Sequence, residues 1–162
     1  MNLNRAETMA KGLIKKLEPF CDRMKIVGDI RRRKPDIDNI DILLAPKSTE
    51  PFGLMMKLVE LGSTDGMRVS NKKILILKDD FGEIKTNLWF TPLDDWSVML
   101  LIKTGGSRTI KKIEKLCNGK KLALSVSNGI IYDENGRKIP FEKEEDIFKL
   151  LEIPFIEASW RE

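Results

Sequence analysis

One short stretch, GDIRRRKPDIDNIDILLAP at residues 28–46, holds the residue types with the clearest chemical potential. Four consecutive cations, Arg31, Arg32, Arg33 and Lys34, follow a glycine turn. Arginine's planar fork suits bidentate contact with phosphate. An acidic run then becomes a hydrophobic strand. Side chains on a strand alternate between faces, so Ile40, Ile42 and Leu44 share the core side and Asn39, Asp41 and Leu43 share the other. Asp38 has the parity of Ile40 and cannot point alongside Asp41 unless the strand begins after it. Two carboxylates at i, i+2 spacing would hold a hard divalent cation, which prefers oxygen ligands and shares phosphate oxygens readily. Here the second position, Asn39, is an amide. A bare cation run is ordinarily a solvated loop, and Asp-x-Asp strings arise by chance. Their combination, in this order and on this parity, points to a metal-assisted phosphoryl or nucleotidyl site.

The elements that must position this stretch can be read from spacing. Asn4 with Glu7 predicts an N-cap and capping box, after which Ala6, Ala10, Leu13, Ile14 and Leu17 recur at helical spacing until Pro19. MKIVG (24–28) predicts a strand ending in the glycine turn, and NIDILLA (39–45) a second strand stopped by Pro46. PFGLMMKLVELG (51–62) suits a helix with Pro51 in its first turn and Gly62 past its end. KKILILK (72–78) and EIKTNLWF (83–90) flank DDFG as a hairpin. LDDWSVMLLIKTGG (93–106) predicts a buried helix ending at a glycine pair. SRTIKKIEKLC (107–117) predicts an amphipathic helix with Ile110, Ile113 and Leu116 inward. The remainder holds KLALSV (121–126), a hairpin turning at DENG (133–136), and a short helix in EKEEDIFKLL (142–151). The pattern is α+β to about residue 97, followed by a smaller lobe.

At 162 residues the chain is long enough for one domain or two small lobes. Its net charge of +4 is mild, so affinity for a polyanion must come from where the cations sit. There is no histidine, and Cys21 and Cys117 are far apart. These facts argue against a zinc site, a histidine triad or a histidine base. The cysteines read as small buried hydrophobes in a reducing compartment. No apolar run approaches the roughly 18 residues of a membrane span, and no signal-peptide core is visible. A cytoplasmic location is expected, at a nucleoid or viral replication site.

GDIRRRKPDIDNIDIL resembles the glycine–serine–x–arginine–arginine loop and following aspartate–x–aspartate of the DNA polymerase X family, which includes DNA polymerase beta. EIKTNLWFTPLDDWSVMLLIKTGG resembles that family's third-aspartate strand, the next helix and the threonine–glycine turn opening the thumb. NGIIYDENGRKIPFEKEEDIFKLLEIPFIEASWRE resembles its C-terminal segment. Together these pieces cover about residues 5 to 162. The resemblance implies a nucleotidyltransferase palm, a mixed sheet flanked by helices, at 1–97 and a small thumb at 98–162. It implies a minimal member in which the helix–hairpin–helix modules and lyase domain have no counterpart. The implied activity joins a deoxynucleoside monophosphate to a DNA 3′ end in gap-filling or repair. The partners would be dNTP and a primer–template or gapped duplex, with no membrane and a monomeric protein.

Residue by residue, Asp41 matches the second catalytic aspartate, with Asn39 and Asn87 at the first and third positions. These three would face a pair of Mg2+ or Mn2+ ions. Gly28 and Arg32 match residues at the nucleotide triphosphate, with Arg31 beside them, and Asp29 stands where a serine is usual. Gly105 and Gly106 match the thumb turn at the nucleotide sugar, with Ile102 and Lys103 replacing the usual aromatic pair. Arg108, Lys111, Lys112 and Lys115 are the expected DNA contacts.

Asparagine keeps the shape of aspartate without its charge or its capacity as a base. A two-metal site with two of three charges removed is expected to be weakened, and the chain to be impaired as a catalyst. Deliberate inactivation and natural decay would both leave this pattern. Two rival readings stand beside it: a non-catalytic nucleic-acid or nucleotide binder on the same fold, and a nucleotidyltransferase acting on a small molecule or protein. Trp89, Trp96 and Trp160 read as core or edge packing. The acidic cluster Glu142, Glu144, Glu145 and Asp146 reads as the charged first turn of a helix.

Overall fold

The computed structural model describes residues 1–63 and 71–162, and the chain divides into two compact units, Met1–Pro92 and Leu93–Glu162. The first unit opens on helix α1, Leu3–Leu17, whose Ala6, Ala10, Leu13 and Leu17 form one buried stripe. Its cap is Asn2 rather than Asn4: the Asn2 side chain accepts the Arg5 N–H at 3.0 Å. Asn4 lies inside the helix, where its carbonyl accepts the Thr8 hydroxyl at 2.9 Å. Glu7 is therefore not part of a capping box and pairs with Lys11 and Arg33 at 2.9 and 3.2 Å. The helix gives way to the single tight turn Glu18–Phe20, where Pro19 cannot donate an N–H.

Strand β1, Cys21–Val27, leads into the four-residue helix α2, Gly28–Arg31, and strand β2, Asn39–Pro46, follows. Because β2 begins at Asn39, Asp38 lies outside the strand and escapes its parity. Helix α3, Pro51–Glu60, has proline in its first turn and Gly62 beyond its end at φ +85°. Strands β3, Lys72–Asp79, and β4, Gly82–Phe90, form a hairpin. The sheet order is β1-β2-β4-β3; β2 and β4 run parallel and the other pairs antiparallel. This is an α+β fold with a mixed four-stranded sheet flanked by helices.

Register fixes which residues share a face. Ile42 lies opposite Ile26 and beside Leu88, and Leu44 opposite Met24 and beside Phe90. These side chains, with Ile40, Leu75 and Ile84, pack with α1 and with Leu54 and Leu58 of α3 into one core. The opposite face presents the row Val27, Asp41, Asn87 and Ile74 across the four strands. Asp41 is thus displayed away from the core by the same alternation that buries Ile40 and Ile42. Leu43 shares the parity of Asp41 yet is fully buried, flanked in register by Lys25 and Trp89.

In the second unit, helix α4, Trp96–Thr104, is buried at nearly every position, as its continuous apolar sequence requires. Helix α5, Ser107–Gly119, buries Thr109, Ile113 and Cys117 fully, while Ile110 and Leu116 are only partly buried. Strands β5, Ala123–Ser125, and β6, Ile130–Tyr132, pair antiparallel. The ladder therefore turns at 126–129. The expected DENG turn exists as well, but a single bridge, Tyr132 to Lys138, closes it.

Helix α6, Glu144–Leu150, carries Glu144, Glu145 and Asp146 in its first turn. Glu144 does more than charge that first turn. It is 4% exposed and pairs with Arg161, which is 0% exposed. Arg161 Nε also donates to the Ile156 carbonyl at 2.9 Å, and its guanidinium lies 5.5 Å from the ring centroids of both Phe148 and Phe155. A charge so deeply buried persists only when paired and hydrogen-bonded.

Candidate functional site

The site is built around β2. Parallel pairing sets Asp41 beside Asn87 and Asn39 beside Lys85. Asp41 Oδ1 accepts two hydrogen bonds, from Asn87 Nδ2 at 3.0 Å and from Trp89 Nε1 at 2.9 Å. Its other oxygen faces the start of the cation loop: a Cβ on Gly28 would come within 2.7 Å of Oδ2. Gly28 also has φ +62°, so any side chain here would meet both backbone strain and the carboxylate. Asn87 is 7% exposed, and among the described residues its Oδ1 has no hydrogen-bond partner.

The loop turns back on itself. The Arg32 amide donates to the Gly28 carbonyl and the Lys34 amide to the Asp29 carbonyl, each at 3.0 Å. The Arg32 guanidinium forms an ion pair with Asp29, so a carboxylate of the chain already meets a group expected to hold phosphate. Arg31 and Arg32 are half-buried. Arg33 is directed to Glu7 on α1. The four cations therefore divide their duties.

The remaining expected residues belong to the second unit. Gly105 and Gly106 have φ +72° and +32°. A side chain on Gly106 would collide with the Glu162 main chain, which is held there by Thr109: its N–H donates to the Glu162 carbonyl at 2.7 Å and its Oγ1 accepts the Glu162 N–H at 3.1 Å. Arg108, Lys111, Lys112 and Lys115 line one groove beside Leu116 on α5, and Arg108 also reaches Glu162 at 3.2 Å.

Residues 99–162 match the family model of the DNA polymerase beta thumb. The match covers 64 of 162 residues and supports a DNA polymerase X-like assignment. No curated protein matches it. A polymerase thumb is a DNA-binding element, so DNA binding accompanies the assignment, and the α+β architecture fits the polymerase beta-like fold. Among the described residues no helix is long and apolar enough to cross a membrane.

The donor set around Asp41 can be tested against the pair of divalent ions that the resemblance implies. Among the described residues, nowhere do three or more carboxylate, thiolate or imidazole side chains gather as a ligand set. Asn87 turns an N–H donor toward Asp41, and Trp89 supplies a second to the same oxygen. A neutral donor at that position takes up the lone pairs a metal would need. As arranged, these residues do not fit a two-metal centre. The cysteines supply no ligand either: burial, with Asp22 near Cys21 and Glu114 near Cys117, pushes both thiols up to about 11.

Trp89, read from the sequence as packing, joins the candidate site through its hydrogen bond to Asp41. The signal was present in the alternation of β4, which puts positions 85, 87 and 89 on one face. Lys72, opposite Trp89 on β3, places its ammonium 4.5 Å from the indole centroid.

Proposed function

We propose that this protein is a polymerase X-like nucleotidyltransferase scaffold that binds the 3′ end of a gapped or primed DNA and a deoxynucleoside triphosphate, and that as written it is a weak or inactive catalyst. Arg31 and Arg32 would hold phosphate beside Gly28, with Asp29 exerting a like-charge penalty. Gly105 and Gly106 would shape the turn next to the sugar. Arg108, Lys111, Lys112 and Lys115 would bind the duplex backbone. Asp41, Asn39 and Asn87 occupy the positions of the family's metal-facing acids.

The observation that carries the impaired reading is the double hydrogen bond onto Asp41 Oδ1. Neither Asn39 nor Asn87 can take a proton from a 3′-hydroxyl. Losing two charges from such a site is expected to raise the barrier by about 4 kcal/mol, roughly a thousandfold in rate. The test is primer extension on a gapped duplex with Mg2+ or Mn2+, comparing this chain with Asn39→Asp plus Asn87→Asp. A gain of roughly a thousandfold is expected. If the double variant stays folded and binds nucleotide but incorporates none, the polymerase mechanism is lost. The non-catalytic rival draws on the same hydrogen bonds and predicts DNA binding without tightening by nucleotide. The small-molecule rival predicts no salt-dependent duplex affinity from α5.

A further inference from the structure

We propose that a groove of about 790 Å3 in the second unit docks a basic peptide segment of a partner protein, one in which lysines or arginines flank a large apolar side chain. The inference is independent of the nucleotidyl-transfer reading and concerns a surface which that reading leaves unused.

Leu93, Asp94, Lys138, Pro140, Phe141 and Glu142 line the groove, and all belong to the second unit. Leu93 and Pro140 are exposed and Phe141 is half-buried, so an apolar seat stands open to water. Covering it is favourable in proportion to the apolar area removed from solvent. The wall is also held in place before any partner arrives. Lys138 forms an ion pair with the buried Asp95, and a bridge ties it to Tyr132. The Ile139 amide donates to the Ile131 carbonyl at 2.9 Å, and Ser97 Oγ donates to the Phe141 carbonyl at 3.2 Å. A preformed groove spares its partner the entropy of ordering it.

Charge selects the occupant. Lys138 is the only cation among the lining residues, and Asp95 neutralises it. Asp94 and Glu142 are exposed, and among the described residues neither has an ion-pair partner. Two uncompensated carboxylates therefore border the apolar seat, in a chain whose net charge is +4. They repel a phosphodiester, which sets this groove apart from the cationic row on α5. Ammonium or guanidinium groups match them in sign, and an apolar side chain between those cations covers Leu93, Pro140 and Phe141. A polyamine would supply the charge without the apolar anchor.

The experiment measures anisotropy of a fluorescein-labelled, amidated peptide, Gly-Lys-Lys-Phe-Lys-Lys-Gly, titrated with the full chain at low salt. Saturable binding is expected, with none by a counterpart bearing glutamate for lysine. A counterpart bearing serine for phenylalanine should bind about fivefold more weakly. Asp94→Asn plus Glu142→Gln should weaken binding about tenfold, and Leu93→Ser about fivefold. All three side chains are exposed, so these variants keep the fold, which circular dichroism checks. If the unaltered chain shows no saturable binding, or the carboxamide variant binds as well as it does, the inference fails. It fails too if spermidine displaces the peptide while Leu93→Ser changes nothing, since the groove would then hold cations alone. Sedimentation of the chain without peptide tests the remaining occupant: self-association abolished by Asp94→Asn plus Glu142→Gln would put a second copy in the groove and overturn the proposal.

Discussion

The two units each withdraw a carboxylate from water, and they do so in opposite ways. Glu144 in the second unit is fully buried against Arg161, with Phe148 and Phe155 around the guanidinium. Asp41 in the first unit is half-buried and is met by neutral donors from Asn87 and Trp89. The first charge belongs to the packing, since removing either partner strands the other in an apolar interior. The second lies on a sheet face remote from the core formed by Ile40, Ile42 and α1, where a neighbouring charge can be exchanged for an amide without repacking. Asn87 gains a hydrogen bond to Asp41 where an aspartate would confront it with like charge. The sheet face thus accepts an amide beside Asp41, whereas the Glu144–Arg161 pair is bound into the packing of its unit.

The largest effect should come from breaking the buried pair. Arg161→Met or Glu144→Gln alone is expected to destabilise the protein by about 3–5 kcal/mol. Replacing both partners with apolar residues of similar volume should recover most of that loss, which urea unfolding would measure. A small loss in the single variants would erase the contrast between the two carboxylates.

A smaller effect is expected on the sheet. Asn87→Asp without added metal should cost about 1–3 kcal/mol, because it removes a hydrogen bond and sets two carboxylates side by side. Mg2+ should reverse it. Thermal melts with and without Mg2+ give the answer; a melt equal to that of the unaltered chain and insensitive to metal would mean that positions 41 and 87 do not interact.

The smallest effect is the one the two units share. Cys21 and Cys117, buried in separate cores, both have thiols raised from 9.0 to about 11. Each contributes stability that is complete below the unfolded value and lost as pH rises toward the folded one. Stability should therefore decline between about pH 9 and about pH 11. At pH 8 native alkylation by iodoacetamide should be negligible at both positions. Fast labelling of one cysteine alone would show that its unit opens independently.

Much of the architecture was legible in the sequence because burial imposes periodicity. The alternation of Ile40, Ile42 and Leu44 placed Asp41 on the outward face, and Pro51, Gly62 and Pro46 marked element ends by their backbone limits. The cap of α1 was misplaced because Asn2 and Asn4 are both good capping residues, and only the hydrogen bond to Arg5 separates them. The first-turn cluster of α6 was read as uniform, although Glu144 alone meets a partner seventeen positions away. Trp89 was taken for packing because its target, Asp41, is 48 residues distant in sequence.

Local chemistry thus determined the types of element, the outward parity of Asp41 and the presence of neutral amides at positions 39 and 87. These depend on residues within a few places of one another, or on identity alone. Only the tertiary structure decided that β2 runs parallel to β4, which sets Asn87 and Trp89 against Asp41 and places lysines from three strands around it. Strand pairing is a long-range choice, fixed by the burial of a whole sheet against its helices, and no local pattern encodes it.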